Sequence, residues 1–86
     1  MKITLFGEIA KAVGMKEITL DFSDSVKLGE VLDALSRRYP TFAEYCTRYG
    51  RCEGFFIISG RKSIEGESSL LEGDAELLIT TPVTGG

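Results

Sequence analysis

The first six residues, M-K-I-T-L-F, put Met1, Ile3 and Leu5 on one side of an extended chain and Lys2 and Thr4 on the other. A period of two predicts a strand with one face buried. Gly7 ends it. Ile9 and Val13 then lie four apart, which predicts a short helix from Glu8 to Val13 closed by Gly14 as a left-handed stop. The alternation resumes from Lys16 to Phe22, with Ile18, Leu20 and Phe22 on one face. Only about ten residues separate these two strands, so an antiparallel pairing is the economical expectation.

Leu28, Val31, Leu32, Leu35 and Tyr39 recur every three or four residues and form one helix stripe. Arg37 and Arg38 suit its negative end. Pro40 stops it. Its start carries no Ser or Thr cap, because Lys27 stands there, and Glu30 is placed to cap from inside. Thr41-Phe42-Ala43-Glu44 has the form of a capping box for a shorter helix. Phe42, Tyr45, Cys46 and Tyr49 make the buried face of that helix, and Gly50 ends it. After a loop over 51–54, Phe55-Phe56-Ile57-Ile58 is a continuous apolar run, predicted as a central strand. A run without alternation does not say which face each ring takes. Ser59-Gly60 predicts a turn, and Arg61–Ile64 a short edge strand. Residues 68–74 read as a helical turn and a sharp reversal. Ala75–Thr81 is predicted as the last strand, ending where Pro82 lacks a backbone donor. The pattern fits an α+β domain, a small mixed sheet with the main helix packed across one face.

Composition narrows the function. The 86 residues include no histidine, which removes Ser-His-Asp catalysis and histidine-ligated metal sites. Ten basic against 13 acidic residues give a net charge of −3, with no basic stripe, so nucleic acid is not an expected partner. The longest apolar run is far short of the ~20 residues of a membrane span. Met1-Lys2 leads straight into a strand rather than a secretion signal, and the expected location is cytoplasmic. Cys46 and Cys52 are spaced unlike any metal knuckle and read as structural thiols.

The distinctive stretch is the last one, Thr81-Pro82-Val83-Thr84-Gly85-Gly86, in which no side chain is charged. Without Cβ atoms, Gly85-Gly86 can thread a channel too narrow for other residues and adopt backbone angles closed to them. A terminal carboxylate at Gly86 is a poor electrophile until it is activated, most simply by ATP as an acyl-adenylate. The chain has no phosphate-binding loop of its own, so the activation would come from a partner.

With these residues in view, the chain resembles the β-grasp, ubiquitin-like sulfur carriers of the MoaD/ThiS group. The similarity rests on M-K-I-T-L-F with E-I-A-K-A-V-G, on the helix L-G-E-V-L-D-A-L-S-R-R-Y-P, on L-E-G-D, and above all on the terminal P-V-T-G-G. It covers essentially the whole chain and points to MoaD, the small subunit of molybdopterin synthase, more than to ThiS. Related archaeal small modifier proteins end similarly. Family members often carry Pro-Pro where this chain has Thr81-Pro82, and Asn-Gly where it has Ser59-Gly60.

The resemblance implies a β-grasp domain over 1–81, with a mixed four- to five-stranded sheet and one main helix across it, and a flexible tail over 82–86. It implies that an E1-like adenylating enzyme of the MoeB/ThiF type uses ATP and Mg²⁺ to adenylate Gly86. A sulfur donor protein then converts it to a thiocarboxylate. A MoaE-type large subunit of molybdopterin synthase consumes the sulfur. No cofactor or metal is bound by the chain itself, which acts as a carrier rather than an enzyme. Pro82, Val83, Thr84 and Gly85 are implied to guide the tail into its channel. Phe55, Phe56, Leu78 and Thr80 are implied as a docking face, against the plainer reading that such apolar residues are core. The other functions open at this point are a protein modifier joined to lysines through Gly86, a ThiS-like carrier for thiazole synthesis, and a β-grasp binding module.

Overall fold

The computed structural model describes residues 1–51 and 54–81. Cys52 and Pro82–Gly86 lie outside the described residues, so the expectations placed on them are not addressed by it. Strand β1 (Lys2–Phe6) leads into helix α1 (Glu8–Val13), whose C-cap Gly14 is left-handed at φ 82° as its sequence predicts. Strand β2 (Glu17–Thr19) pairs antiparallel with β1, Ile3 opposite Ile18. It is shorter than the predicted Lys16–Phe22. Next come β3 (Val26–Lys27), α2 (Leu28–Arg38) and α3 (Pro40–Tyr49). Strands β4 (Phe56–Ser59), β5 (Lys62–Ser63), β6 (Leu70–Leu71) and β7 (Glu76–Thr80) complete the described chain.

The main sheet has five strands in the order β2-β1-β7-β4-β5, and β3 with β6 forms a separate two-stranded ladder. The first and last strands, β1 and β7, lie side by side and parallel at the centre, with β4 antiparallel on the other flank of β7. A mixed five-stranded sheet with helices on one side is the expected α+β, β-grasp arrangement. The core joins Ile3, Leu5, Ile57, Leu77 and Ile79 of the sheet to Leu28, Val31, Leu32 and Leu35 of α2 and Phe42 of α3. Each such side chain contributes about 1.5–3 kcal/mol on burial.

Two local expectations change. The capping box at Thr41 does not form, because α3 starts two residues earlier, with Pro40 as its first residue and Tyr39 as N-cap. Proline holds its own φ at a helical value and pushes the residue before it out of the helix, so Pro40 closes α2 and opens α3 in one step. Tyr39 serves both: its N–H donates to Leu35 O at 2.8 Å, and its carbonyl accepts from Phe42 N–H at 2.9 Å. The second change lies at 68–74. Instead of a helical turn, Leu70–Leu71 forms β6 against β3, which buries Leu71 beside Val26.

That ladder also resolves the missing cap of α2. Lys27 makes no side-chain cap. The first N–H groups of the helix donate to backbone carbonyls instead, Leu28 to Ser69 O and Gly29 to Glu67 O, both at 2.9 Å. Gly29 permits the approach, since a Cβ there would lie 3.2 Å from the Cβ of Glu67. Arg51 fastens the same corner. It donates to Gly29 O and Asp33 Oδ1, each at 2.7 Å, and lies 3.1 Å from Glu67 Oε1. Burial works against its charge, but the hydrogen bond to Asp33 and the fields of Glu67 and Asp33 outweigh it and hold the guanidinium protonated.

Candidate functional site

The candidate site lies where β7 delivers the chain towards its last residues. Strand parity decides what the sheet shows to solvent there. Leu77 and Ile79 of β7 turn in to the helices, as do Ile3 and Leu5 of β1 and Ile57 of β4. Their sequence neighbours therefore turn out. The register puts Phe6, Thr80 and Phe56 in one row across β1, β7 and β4, and Thr4, Leu78 and Ile58 in the next. Side chains so paired stand about 4.5–5.5 Å apart at Cβ, close enough to form one patch.

Phe6 is 56% exposed and Phe56 is 55% exposed, so two phenyl rings flank Thr80 in the last row before the chain leaves the sheet. The opposite end of this face is polar. Lys2 pairs with Glu76 in register and makes a 3.1 Å ion pair with Glu17. Glu17 raises the Lys2 pKa through that contact, with Glu76 adding to it. The outer face is thus graded, charged at the start of β1 and apolar at the exit of β7. The two rings give that end of the face an exposed apolar patch.

Of the docking residues suggested from the sequence, Phe56, Leu78 and Thr80 lie on this outer face. Phe55 does not. It is 5% exposed and stacks on Phe42, ring centroids 5.3 Å apart and planes 2° from parallel, with Tyr45 against it at 5.3 Å. The reason is parity: Phe55 precedes β4 on the side of Ile57, and α3 offers its ring a place in the core. Cys46 is buried on the inner face of α3, as the helix pattern predicts. Phe6 was not among the suggested residues, although it left a signal. It is the one large apolar residue on the polar parity of the first strand. Ile58 left none, since an unbroken apolar run conceals its parity.

The root of the tail is built from distant parts of the chain. Thr81, the last described residue, is 6% exposed, and its hydroxyl accepts the N–H of Glu8 at 3.1 Å. Tyr45 of α3 lies nearby. Burial pushes its phenol pKa up, Tyr49 adds to this, and the Thr81 hydroxyl pulls the other way. Pro82, Val83, Thr84, Gly85 and Gly86 lie beyond the described residues. Among the described residues no group of three or more His, Cys, Asp or Glu is placed to hold a metal ion. No helix there is long and apolar enough to cross a membrane.

With fold and site laid out, comparison places the chain in the ubiquitin-like β-grasp class. No family model matches the sequence, and neither does any curated protein. Solved structures do. Small archaeal modifier protein 1 from Haloferax volcanii superposes with a TM-score of 0.78 at 20% identity, covering 99% of this chain and 97% of that one. The protein of the same name from Methanosarcina acetivorans gives 0.73 at 26% identity, covering 99% and 94%. A protein provisionally described as molybdopterin converting factor, subunit 1, from Pyrococcus furiosus gives 0.74 at 14% identity, covering 95% of each. These neighbours match the resemblance to MoaD/ThiS-like ubiquitin-fold proteins seen in the sequence. At such identities what they share with this chain is the fold.

Proposed function

We propose that the protein is a sulfur carrier whose reactive group is the C-terminal carboxylate of Gly86. In this reading an E1-like enzyme binds the outer face through Phe6, Phe56 and Leu78. A Gly86 carboxylate oxygen attacks the α-phosphate of ATP, Mg²⁺ assists, and pyrophosphate leaves. A persulfide on a donor protein then attacks the acyl carbon and expels AMP, and a thiol releases the Gly86 thiocarboxylate from the resulting acyl disulfide. The sulfur goes to a pterin held by a molybdopterin synthase large subunit. Pro82, Val83, Thr84 and Gly85 form the stalk, with Val83 as an apolar anchor in the partner's channel. The chain supplies a terminus and a docking face, and the partners supply the catalytic groups.

The observation that carries this reading is the placement of the exit. The central strand β7 ends in the row that holds the two most prominent aromatic residues of the outer face, and 82–86 continue from it as an uncharged Gly-Gly segment. A partner that covers those rings has the tail in reach. The likeness to two small archaeal modifier proteins favours a second reading, in which the activated Gly86 is passed to lysine amines of other proteins.

One experiment separates them. The chain is incubated with an E1-like enzyme, ATP, Mg²⁺ and a persulfide donor, and its intact mass is read. A carrier gains the mass difference of one oxygen replaced by sulfur, and the gain maps to Gly86. Deleting Gly86 abolishes it. Sulfur retained on the deleted chain refutes the proposal, and isopeptides from Gly86 to lysine without thiocarboxylate establish the modifier reading instead.

A further inference from the structure

Thr81 is the one buried polar side chain among the described residues. Its hydrogen bond spans 73 positions of sequence to reach Glu8. The first N–H groups of a helix have no partner within it, and Ser, Thr, Asp or Asn usually supplies one from the N-cap. Here the N-cap is Gly7, with no side chain to offer. The acceptor comes from the far end of the chain instead. Gly7 lies at φ 78°, ψ −149°, a conformation kept almost wholly to glycine. A Cβ at Gly7 would sit 2.8 Å from the Thr81 oxygen. Glycine therefore both turns the chain and leaves the gap in which the Thr81 hydroxyl docks.

We propose that Thr81 is a positioning residue: docked on the Glu8 amide through the gap at Gly7, it fixes the last described point of the chain, from which the sequence runs on to Gly86, for the activating enzyme. This rests on the carrier reading and extends it to a residue that touches no reacting atom. A backbone fixed at Thr81 leaves fewer arrangements open to whatever follows it. Acyl transfer needs its atoms placed to within about 1 Å. A root held on two sides, by the β7 ladder and by α1, narrows the search before the partner closes on the tip. Loss of the clamp lowers the fraction of chains poised to enter, which weakens apparent binding without changing the chemistry afterwards.

The test uses the full chain and the enzyme that adenylates it. Thr81→Val removes the acceptor, and Thr81→Ser keeps it. Glu8→Pro removes the donor at a helix position that favours proline, and Glu8→Ala controls for the lost carboxylate. Thr81→Val is expected to speed hydrogen exchange at the Glu8 amide by about tenfold or more while Ile79 in β7 is unchanged. In ATP–pyrophosphate exchange, Thr81→Val and Glu8→Pro are expected to raise KM roughly three- to tenfold with kcat held, and Thr81→Ser and Glu8→Ala to stay near wild type. Unchanged Glu8 exchange in Thr81→Val overturns the proposal, as does an unchanged KM in Glu8→Pro, or a Thr81→Ser variant as impaired as Thr81→Val. A wild-type chain that no adenylating enzyme loads overturns the carrier reading and the clamp's use with it, while Glu8 exchange still decides whether the clamp exists.

Discussion

Phe55 and Phe56 are adjacent and chemically identical, yet one is 5% exposed and the other 55%. Phe55 lies in an aromatic stack with Phe42 and Tyr45. Phe56 stands across Thr80 from Phe6 on the open side of the sheet. The difference comes from one step of strand parity, not from residue type. Hydrophobicity alone therefore says that a side chain seeks cover, and the fold says whether the molecule itself provides it.

The largest expected effect comes from breaking the inner member. Phe55→Ala should cost about 3–5 kcal/mol, the range for truncating a buried phenylalanine. At roughly 4–8 °C per kcal/mol for a domain of this size, a thermal melt reads this directly. Phe56→Ala should change stability by no more than about 0.5 kcal/mol, as at other exposed positions. It should still weaken the complex with the adenylating enzyme by about tenfold, measurable by titration calorimetry. Equal losses of stability in the two variants would end the comparison. Leu78, half-buried in the next row, sharpens it: Leu78→Ala should cost on the order of 1 kcal/mol and also weaken docking. The smallest effect is alkaline. Burial raises the Tyr45 pKa above its ordinary 10.0, so the unfolded chain loses that proton first. The stability tied to it is present below pH 10 and falls as pH rises through the folded value. Tyr45→Phe, followed by denaturant melts from pH 9 upward, should flatten that part of the decline.

Much of the fold was legible because its longer elements carry their own periodicity. β1, α1 and the stripe of α2 announce themselves in spacing, and α3 does so apart from its cap and Tyr49, which the spacing puts on the buried face and which is 51% exposed. What escaped was whatever depends on a distant partner. β3 and β6 are two residues each, too short for any pattern, and exist because they cap α2 and bury Leu71 against Val26. Thr41 looked like a cap because the local rule omits what Pro40 does to Tyr39. At the site, the sequence points to Phe56, Leu78 and Thr80 but does not separate Phe55 from them, since four apolar residues in a row give no parity. Thr81 offered only a polar residue before a proline, and its contact lies 73 positions away.

The parallel seam of β1 and β7 carries a consequence for how the protein is born. Register joins Lys2 to Glu76 and Phe6 to Thr80, so the middle of the sheet stays vacant until β7 has been synthesised. Contacts between residues so far apart are paid for late in folding. A nascent chain stopped short of residue 76 has two sheet fragments and no seam to join them. Closure of the main sheet thus waits for β7, the last of its strands in the chain.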